Sequence, residues 1–368
     1  MSRYVFALAT ADDDAQLRDR MARDWMEGEI SVSFRREPNY FRGCQVQGRS
    51  FQVIKCTDTH TGQIVGLGSR LTNRLWINGT IQRCGYLADL RIHPAYRRGT
   101  IVARGYRFLR QLHDADPVSL YYSLILDGNR NALENLVGGR AGLPEYREVG
   151  FIQTPAIYLD LPKPEIRISG VRFERGSWQN LAKILEFVRL EQANKQFAPC
   201  YFVEDFQTNR LRGLNPEDFY LAVRENEIVG AIAAWDRRSF SQTHVEKYSR
   251  ALGTMRPFYN AIARLTPLRP LPEPGAAVPC FYVGFVAIRD NDPQIFRALL
   301  RHLYRDRRRG EWHYFIVGLH EGDPLAEVLG DYRRIDAGGH LFVLHYWEDR
   351  AAFDRLDGRI PYLEMATI

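Results

Sequence analysis

Tyr86-Leu87-Ala88-Asp89-Leu90-Arg91-Ile92-His93-Pro94-Ala95-Tyr96-Arg97-Arg98-Gly99-Thr100-Ile101-Val102-Ala103-Arg104-Gly105-Tyr106 reads as an apolar strand that ends at a proline, a basic loop containing a glycine, and the first turns of an amphipathic helix. A strand that runs into a helix N-terminus aims several free amide hydrogens and the positive end of the helix dipole at one point. Arg97 and Arg98 add formal charge there, so the connection reads as a cradle for a phosphate or pyrophosphate.

Outward from this stretch the chain alternates strands and helices. A helix is expected over Asp12–Arg23, a hairpin from Ser50–Thr57 and Ile64–Leu71, and a second strand pair from Leu75–Ile77 and Ile81–Ile92. Asn78-Gly79 between the last two supplies the positive φ angles of a tight hairpin turn. Beyond the basic loop follow a helix over Thr100–Asp114, a buried strand Leu120–Leu126, a short helix Asn129–Val137 and a strand Phe151–Leu161. His93, between strand and proline, is expected to cap the loop or face solvent.

Leu161-Pro162-Lys163-Pro164-Glu165 has the proline content of a linker, and the same order then recurs. A helix (178–196), a hairpin (219–224 with 228–235), a strand (281–288), a helix (293–309), a strand (313–319), a short helix (324–329) and a strand (341–347) are expected. Ile64-Val65-Gly66 returns as Ile228-Val229-Gly230 in the equivalent hairpin. The division is therefore 1–161, a linker 162–170, and 171–368 with an insertion at 236–279. Within that insertion a helix is expected over Thr243–Ala251, and Gln242, His244, Arg256 and Tyr259 are polar enough to line a site or to solvate a loop. The second copy has Arg289-Asp290-Asn291-Asp292-Pro293 where the first has its basic loop. Carboxylates there repel a pyrophosphate, so only the first copy is expected to bind one.

The 368 residues suit two domains, each able to bury a core, and the 45% apolar content suits globular folding. A net charge of +6 fits an anionic ligand without demanding nucleic acid. No apolar run approaches the length of a membrane span, and the N-terminus has no signal-peptide pattern. Cys44, Cys56, Cys84, Cys200 and Cys280 include no Cys-x-x-Cys pair or zinc spacing. They are expected to be reduced and core-facing in a cytoplasmic protein with no metal.

The strand–loop–helix order, Asn129-Arg130-Asn131-Ala132 and Tyr146-Arg147-Glu148-Val149-Gly150-Phe151 together resemble the GNAT superfamily of N-acyltransferases (GCN5-related N-acetyltransferases). The likeness covers most of residues 1–161 and, in outline, 167–350. It implies an α+β fold of two GNAT-like domains, each a mixed, mostly antiparallel sheet flanked by helices, and transfer of an acyl group from acetyl-CoA or another acyl-CoA to the amine of a small molecule or peptide. Carried over by position, Leu90 and Ile92 offer backbone partners to pantetheine, and Arg97, Arg98, Gly99, Thr100, Ile101 and Val102 hold the pyrophosphate. Asn129 bonds the cofactor arm, and Tyr146 protonates the departing thiolate. Thr100 and Val102 stand where the family pattern has small residues, with Gly99 one place early.

An attacking ammonium must lose a proton before it adds to a thioester, so a base is required. Asp89 is the first candidate; the chain terminus Glu364-Met365-Ala366-Thr367-Ile368 is the second, because some tandem members of the family use a C-terminal carboxylate. The competing expectation is a non-catalytic protein, a degenerate pair that senses an acyl-CoA or acts as a scaffold.

Overall fold

A computed structural model of the chain describes residues 2–97, 100–137 and 142–368. The first half contains β1 (Tyr4–Leu8), α1 (Asp14–Arg23), β2 (Ile30–Arg35), α2 (Tyr40–Gln47), β3 (Ser50–Asp58), β4 (Gln63–Ile77), β5 (Thr80–Ile92), α3 (Ile101–Ala115), β6 (Tyr121–Leu126), α4 (Arg130–Leu136), β7 (Glu145–Gln153) and β8 (Ala156–Tyr158). The second half contains β9 (Val171–Arg175), α5 (Leu181–Gln192), β10 (Phe219–Arg224), β11 (Glu227–Trp235), β12 (Gln242–Tyr248), α6 (Arg250–Ala263), β13 (Cys280–Ile288), α7 (Pro293–Arg307), β14 (Tyr314–Val317), β15 (Leu319–His320), β16 (Arg334–Ile335), β17 (Gly338–His345) and α8 (Arg350–Asp354).

Two mixed sheets result, ordered β1-β3-β4-β5-β6-β17-β7-β15 and β16-β8-β14-β13-β11-β10-β9. Asn78 and Gly79, at φ 51° and 74°, turn β4 into β5, as the mirror-image turn of a two-residue hairpin requires. β4 is one strand of 15 residues rather than the two short ones expected. Its far end gains a second partner: Trp76 donates its amide to the Ala198 carbonyl at 2.8 Å, and the Phe197 amide donates back to the Trp76 carbonyl at 2.8 Å.

The sheets exchange strands across the expected linker. β17, from the second half, lies between β6 and β7, with Leu341 opposite Leu124 and Leu344 opposite Tyr146. β8, from the first half, joins β14 and β16, with Ile157 opposite Phe315. The expected strand 151–161 is thus two strands in different sheets, broken at Thr154-Pro155 because proline has no amide for the ladder. One apolar core joins Leu71, Leu75 and Tyr122 to Phe197, Phe285 and Val343, so the halves are packed together as well as interleaved.

The insertion also departs from expectation. Gln242–Tyr248 is a strand, paired antiparallel with β2 over 200 residues away in sequence. The helix begins only at Arg250, after Ser249 accepts the Leu252 amide. Alternating Thr243, Val245 and Lys247 suits a pleated ribbon better than a helix, but the partner that stabilises it lies beyond any local pattern.

The repeat is exact at the step that matters for a site. In β4–β5, Ser69 faces Ala88 and Leu67 faces Arg91, which leaves an extra residue and puts Asp89 at φ 56°. In β11–β13, Ala233 faces Gly284 and Ala231 faces Ala287, with Phe285 at φ 53°. Both are β-bulges, which bend a strand and re-aim its side chains. Gly66 and Gly230 sit opposite Ile92 and Ile288 just beyond the bulges. Ile101 and Ile295, at the starts of the following helices, both border the space a side chain would fill at these glycines, at 3.8 Å and 3.0 Å.

Candidate functional site

β5 and β6 run parallel but pair only at Gly85–Tyr121 and Tyr86–Tyr122. The Tyr86 and Tyr122 rings stack at 4.6 Å there, and beyond them the strands diverge, bridged by Ser123 Oγ donating to the Leu87 carbonyl at 3.0 Å. The split opens into a cavity of about 670 Å³, lined mostly by apolar side chains of both halves.

Asp89 rides the bulge at the cavity wall, with its side chain 11% exposed. Its Oδ2 accepts from Arg36 at 2.9 Å and from the Tyr40 hydroxyl at 3.1 Å; among the described residues no donor reaches Oδ1. Burial works against the Arg36 charge, but Asp89 beside it more than restores it and holds the guanidinium above its ordinary value.

Tyr146 reaches the cavity from β7, and its hydroxyl lies 2.5 Å from that of Tyr106 on α3. Burial, then the neighbouring phenol, push Tyr146 well above the usual tyrosine value, and burial pushes Tyr106 up to about 12. The pair therefore stays protonated, the state a proton donor needs. Asn129 lines the same cavity and caps α4, its Oδ1 accepting from the Ala132 amide at 3.2 Å.

Leu90, Ile92, Ile101 and Val102 also line the cavity. The carbonyls of Leu90 and Ile92 accept from Arg91 at 3.0 Å and from Arg97 Nε at 3.2 Å. The His93 ring caps the 94–96 turn by accepting from the Ala95 amide. Thr100 stands at the N-cap of α3 and gives it no side-chain bond, so among the described residues no side chain caps the first-turn amides of that helix. Arg98 and Gly99 lie outside the described residues.

The second copy is built alike and closed. β13 and β14 pair in parallel from Cys280 to Val283 and then part, but residues 362–366 fill the gap. Glu364 Oε2 accepts from the Phe285 amide at 2.7 Å and from the Tyr362 hydroxyl at 3.0 Å, while that hydroxyl accepts from the Val286 amide at 3.1 Å. Met365 occupies the space a side chain on Gly318 would need. Phe285, at the position of Asp89, is fully buried with its ring 4.8 Å from Tyr201 and 5.0 Å from Phe219. At the helix start, Asp292 caps α7 by accepting the Gln294 amide at 2.8 Å. The acidic loop therefore occupies its own helix N-terminus. The tail continues to the first cavity, where Met365 and Ile368 form part of the wall.

In the insertion, strand parity places the residues one position from the expected ones. Ser241, Thr243, Val245 and Tyr248 line the cavity. Gln242 bonds the Glu37 and Arg238 carbonyls, His244 bonds the Gly275 carbonyl, Arg256 the Pro272 carbonyl, and Tyr259 meets Arg333. Arg36, Tyr40 and Arg237 had no local signal, because each acquires its place only when distant segments meet. Among the described residues no cluster of His, Cys, Asp and Glu is arranged to hold a metal ion, and no helix is long and apolar enough to cross a membrane.

A central bulged strand, a parallel neighbour that splays from it, and a helix N-terminus at the mouth of the split, all repeated once, define the class. The fold is the α+β fold of the GCN5-related N-acyltransferases, in two copies. No family model and no curated protein matches the sequence, but solved structures do. A GCN5-related N-acetyltransferase from Sphaerobacter thermophilus is 13% identical, with a TM-score of 0.56 over 93% of this chain and 96% of that one. Saccharomyces cerevisiae N-myristoyltransferase with bound myristoyl-CoA is 10% identical, with a TM-score of 0.60 over 94% and 80%. A conserved Enterococcus faecalis V583 protein of unknown function, described as a probable N-acyltransferase, is 10% identical with a TM-score of 0.51 over 93% and 72%.

Proposed function

We infer that the first unit binds an acyl-CoA, acetyl-CoA being the simplest donor, and passes its acyl group directly to an amine held against the second half. The contrast between the two units carries this reading: one split strand pair opens to a large apolar cavity beside an uncapped helix N-terminus, while the other is filled by residues 362–366 and capped by Asp292. In the open unit the amides at the start of α3, with Arg97, Thr100, Ile101 and Val102, suit a pyrophosphate. The wall at Leu90, Ile92 and Asn129 suits a pantetheine arm. Tyr146 holds the proton that the leaving thiolate takes up, and Asp89 is the carboxylate nearest the bulge.

One observation favours the second reading, a protein that binds acyl-CoA without turnover: Asp89 is engaged by Arg36 and Tyr40 rather than free. Thermal-shift titration with CoA, acetyl-CoA and longer acyl-CoAs tests binding, and thiol release with a panel of amines tests turnover. Binding of one equivalent with amine-dependent thiol release is expected. Binding without release supports the sensor, and no shift with any acyl-CoA overturns both.

A further inference from the structure

Arg237 follows β11 and is 6% exposed on the cavity wall. It donates to two neutral acceptors, the Met365 carbonyl at 3.0 Å and Ser241 Oγ at 2.9 Å, and among the described residues its Nε has no partner. The guanidinium lies over the Tyr282 ring, 4.3 Å from its centre. Among the described residues, no carboxylate pairs with it. Asp236 and Glu311 pair with its neighbour Arg238 instead, and Glu364 is turned to the second bulge, where it takes the Phe285 and Ala366 amides.

The cavity as a whole repeats this imbalance. Among the described residues, Arg36 and Arg237 are buried in its wall against one mostly buried carboxylate, Asp89, and Arg36 Nη1 is a second guanidinium nitrogen without a partner. Asp127 and Asp336 stand at the mouth, with side chains 70% and 79% exposed. Burial pushes Arg237 below its ordinary value, yet arginine does not give up its proton in proteins. A buried cation with only neutral partners is costly, and at a cavity wall a ligand's anion removes that cost.

Building on the acyltransferase reading, we propose that the acceptor carries a carboxylate, which Arg237 binds as counter-ion while the acceptor's amine faces the bulge at Asp89. The rest of the cavity wall is largely apolar, including Met26, Val32, Phe34 and Val245. The class is therefore an apolar-bodied amine with an acid group, such as a hydrophobic amino acid. An acidic acyl group on the donor has the same chemistry, but Arg237 and Ser241 belong to the second half, whereas α3 and the strands beside it belong to the first.

Leucine and phenylalanine, each against its own amide, are titrated calorimetrically with and without CoA into the wild type, Arg237→Met and Arg237→Lys. The acids are expected to bind the wild type at least about tenfold more tightly than the amides, the worth of one charge-assisted hydrogen bond. Arg237→Met removes that preference and Arg237→Lys keeps most of it. Equal binding of acid and amide, no binding of either acid, or a preference that survives Arg237→Met overturns the proposal. Since the contrast is also read on the wild type, a variant that fails to fold does not blunt it. A rate preference for succinyl-CoA over acetyl-CoA that is lost in Arg237→Met assigns the site to the donor and likewise overturns it. Thiol release that fails with every amine overturns the transferase reading separately, since the titration needs no turnover.

Discussion

Glu364 couples the closed second unit to pH. Its carboxyl is 3% exposed, and burial raises it from the ordinary 4.5 to about 7 against the opposing pull of the Phe285 amide, the Tyr362 hydroxyl, the Ala366 amide and the Arg237 charge. The folded chain therefore keeps a proton that the unfolded chain releases near 4.5. Stability from this group is fully present below that value and is lost as pH rises through about 7. At about 1.4 kcal/mol per tenfold the difference comes to about 3 kcal/mol. The buried His113 and the half-buried His302 and His313 are lowered by burial and act with the opposite sign, since the unfolded chain binds their protons more tightly. The quantity to measure is thus the difference between Glu364→Gln and wild type, by thermal unfolding from pH 5 to pH 8 at constant ionic strength. Glutamine stays neutral throughout, so the variant is expected to gain on the wild type by roughly 3 to 6 °C across that range, taking about 1 to 2 °C per kcal/mol for a chain of this size. A difference that is flat to within about 1 °C, or that moves the other way, refutes the burial argument.

Tyr146→Phe is expected to lower the thiol-release rate about 100-fold while leaving acyl-CoA affinity within about twofold; an unchanged rate removes the phenol from proton transfer. Asp292→Ala removes the cap of α7 and should cost about 1 kcal/mol in chemical denaturation. Calorimetry on that variant should still count one equivalent of CoA, because residues 362–366 fill the second split whatever the helix start carries. A second equivalent would show that the carboxylate, and not the tail, closes that unit.

Much of the site's frame is legible locally. Asn78-Gly79 specifies a hairpin because few other pairs tolerate two positive φ angles, and Pro94 after an apolar run ends a strand where a helix then starts. The repeated Ile-Val-Gly marks equivalent strands because a small residue there lets the following helix sit close. Asp292 against Arg97 and Arg98 separates the two helix starts by charge alone. All of these are settled within a few residues, where steric and electrostatic preferences act without reference to the rest of the chain.

Tertiary structure decided the rest. Whether Gln242 or Thr243 faces the cavity depends on the register of β12 against β2, and a shift of one residue reverses every side chain. The placing of β17 between β6 and β7, the burial of Arg36 and Arg237 in one wall, and the use of Glu364 to fill the second bulge all join segments that are distant in sequence. Burial determines whether a charge is solvated or needs a partner, and it exists only once those segments have packed. The sequence alone therefore determined a strand, a loop and a helix twice over, with opposite charge at the two helix starts. Packing decided which split stays open and left Arg237 in the open cavity's wall with no carboxylate partner among the described residues.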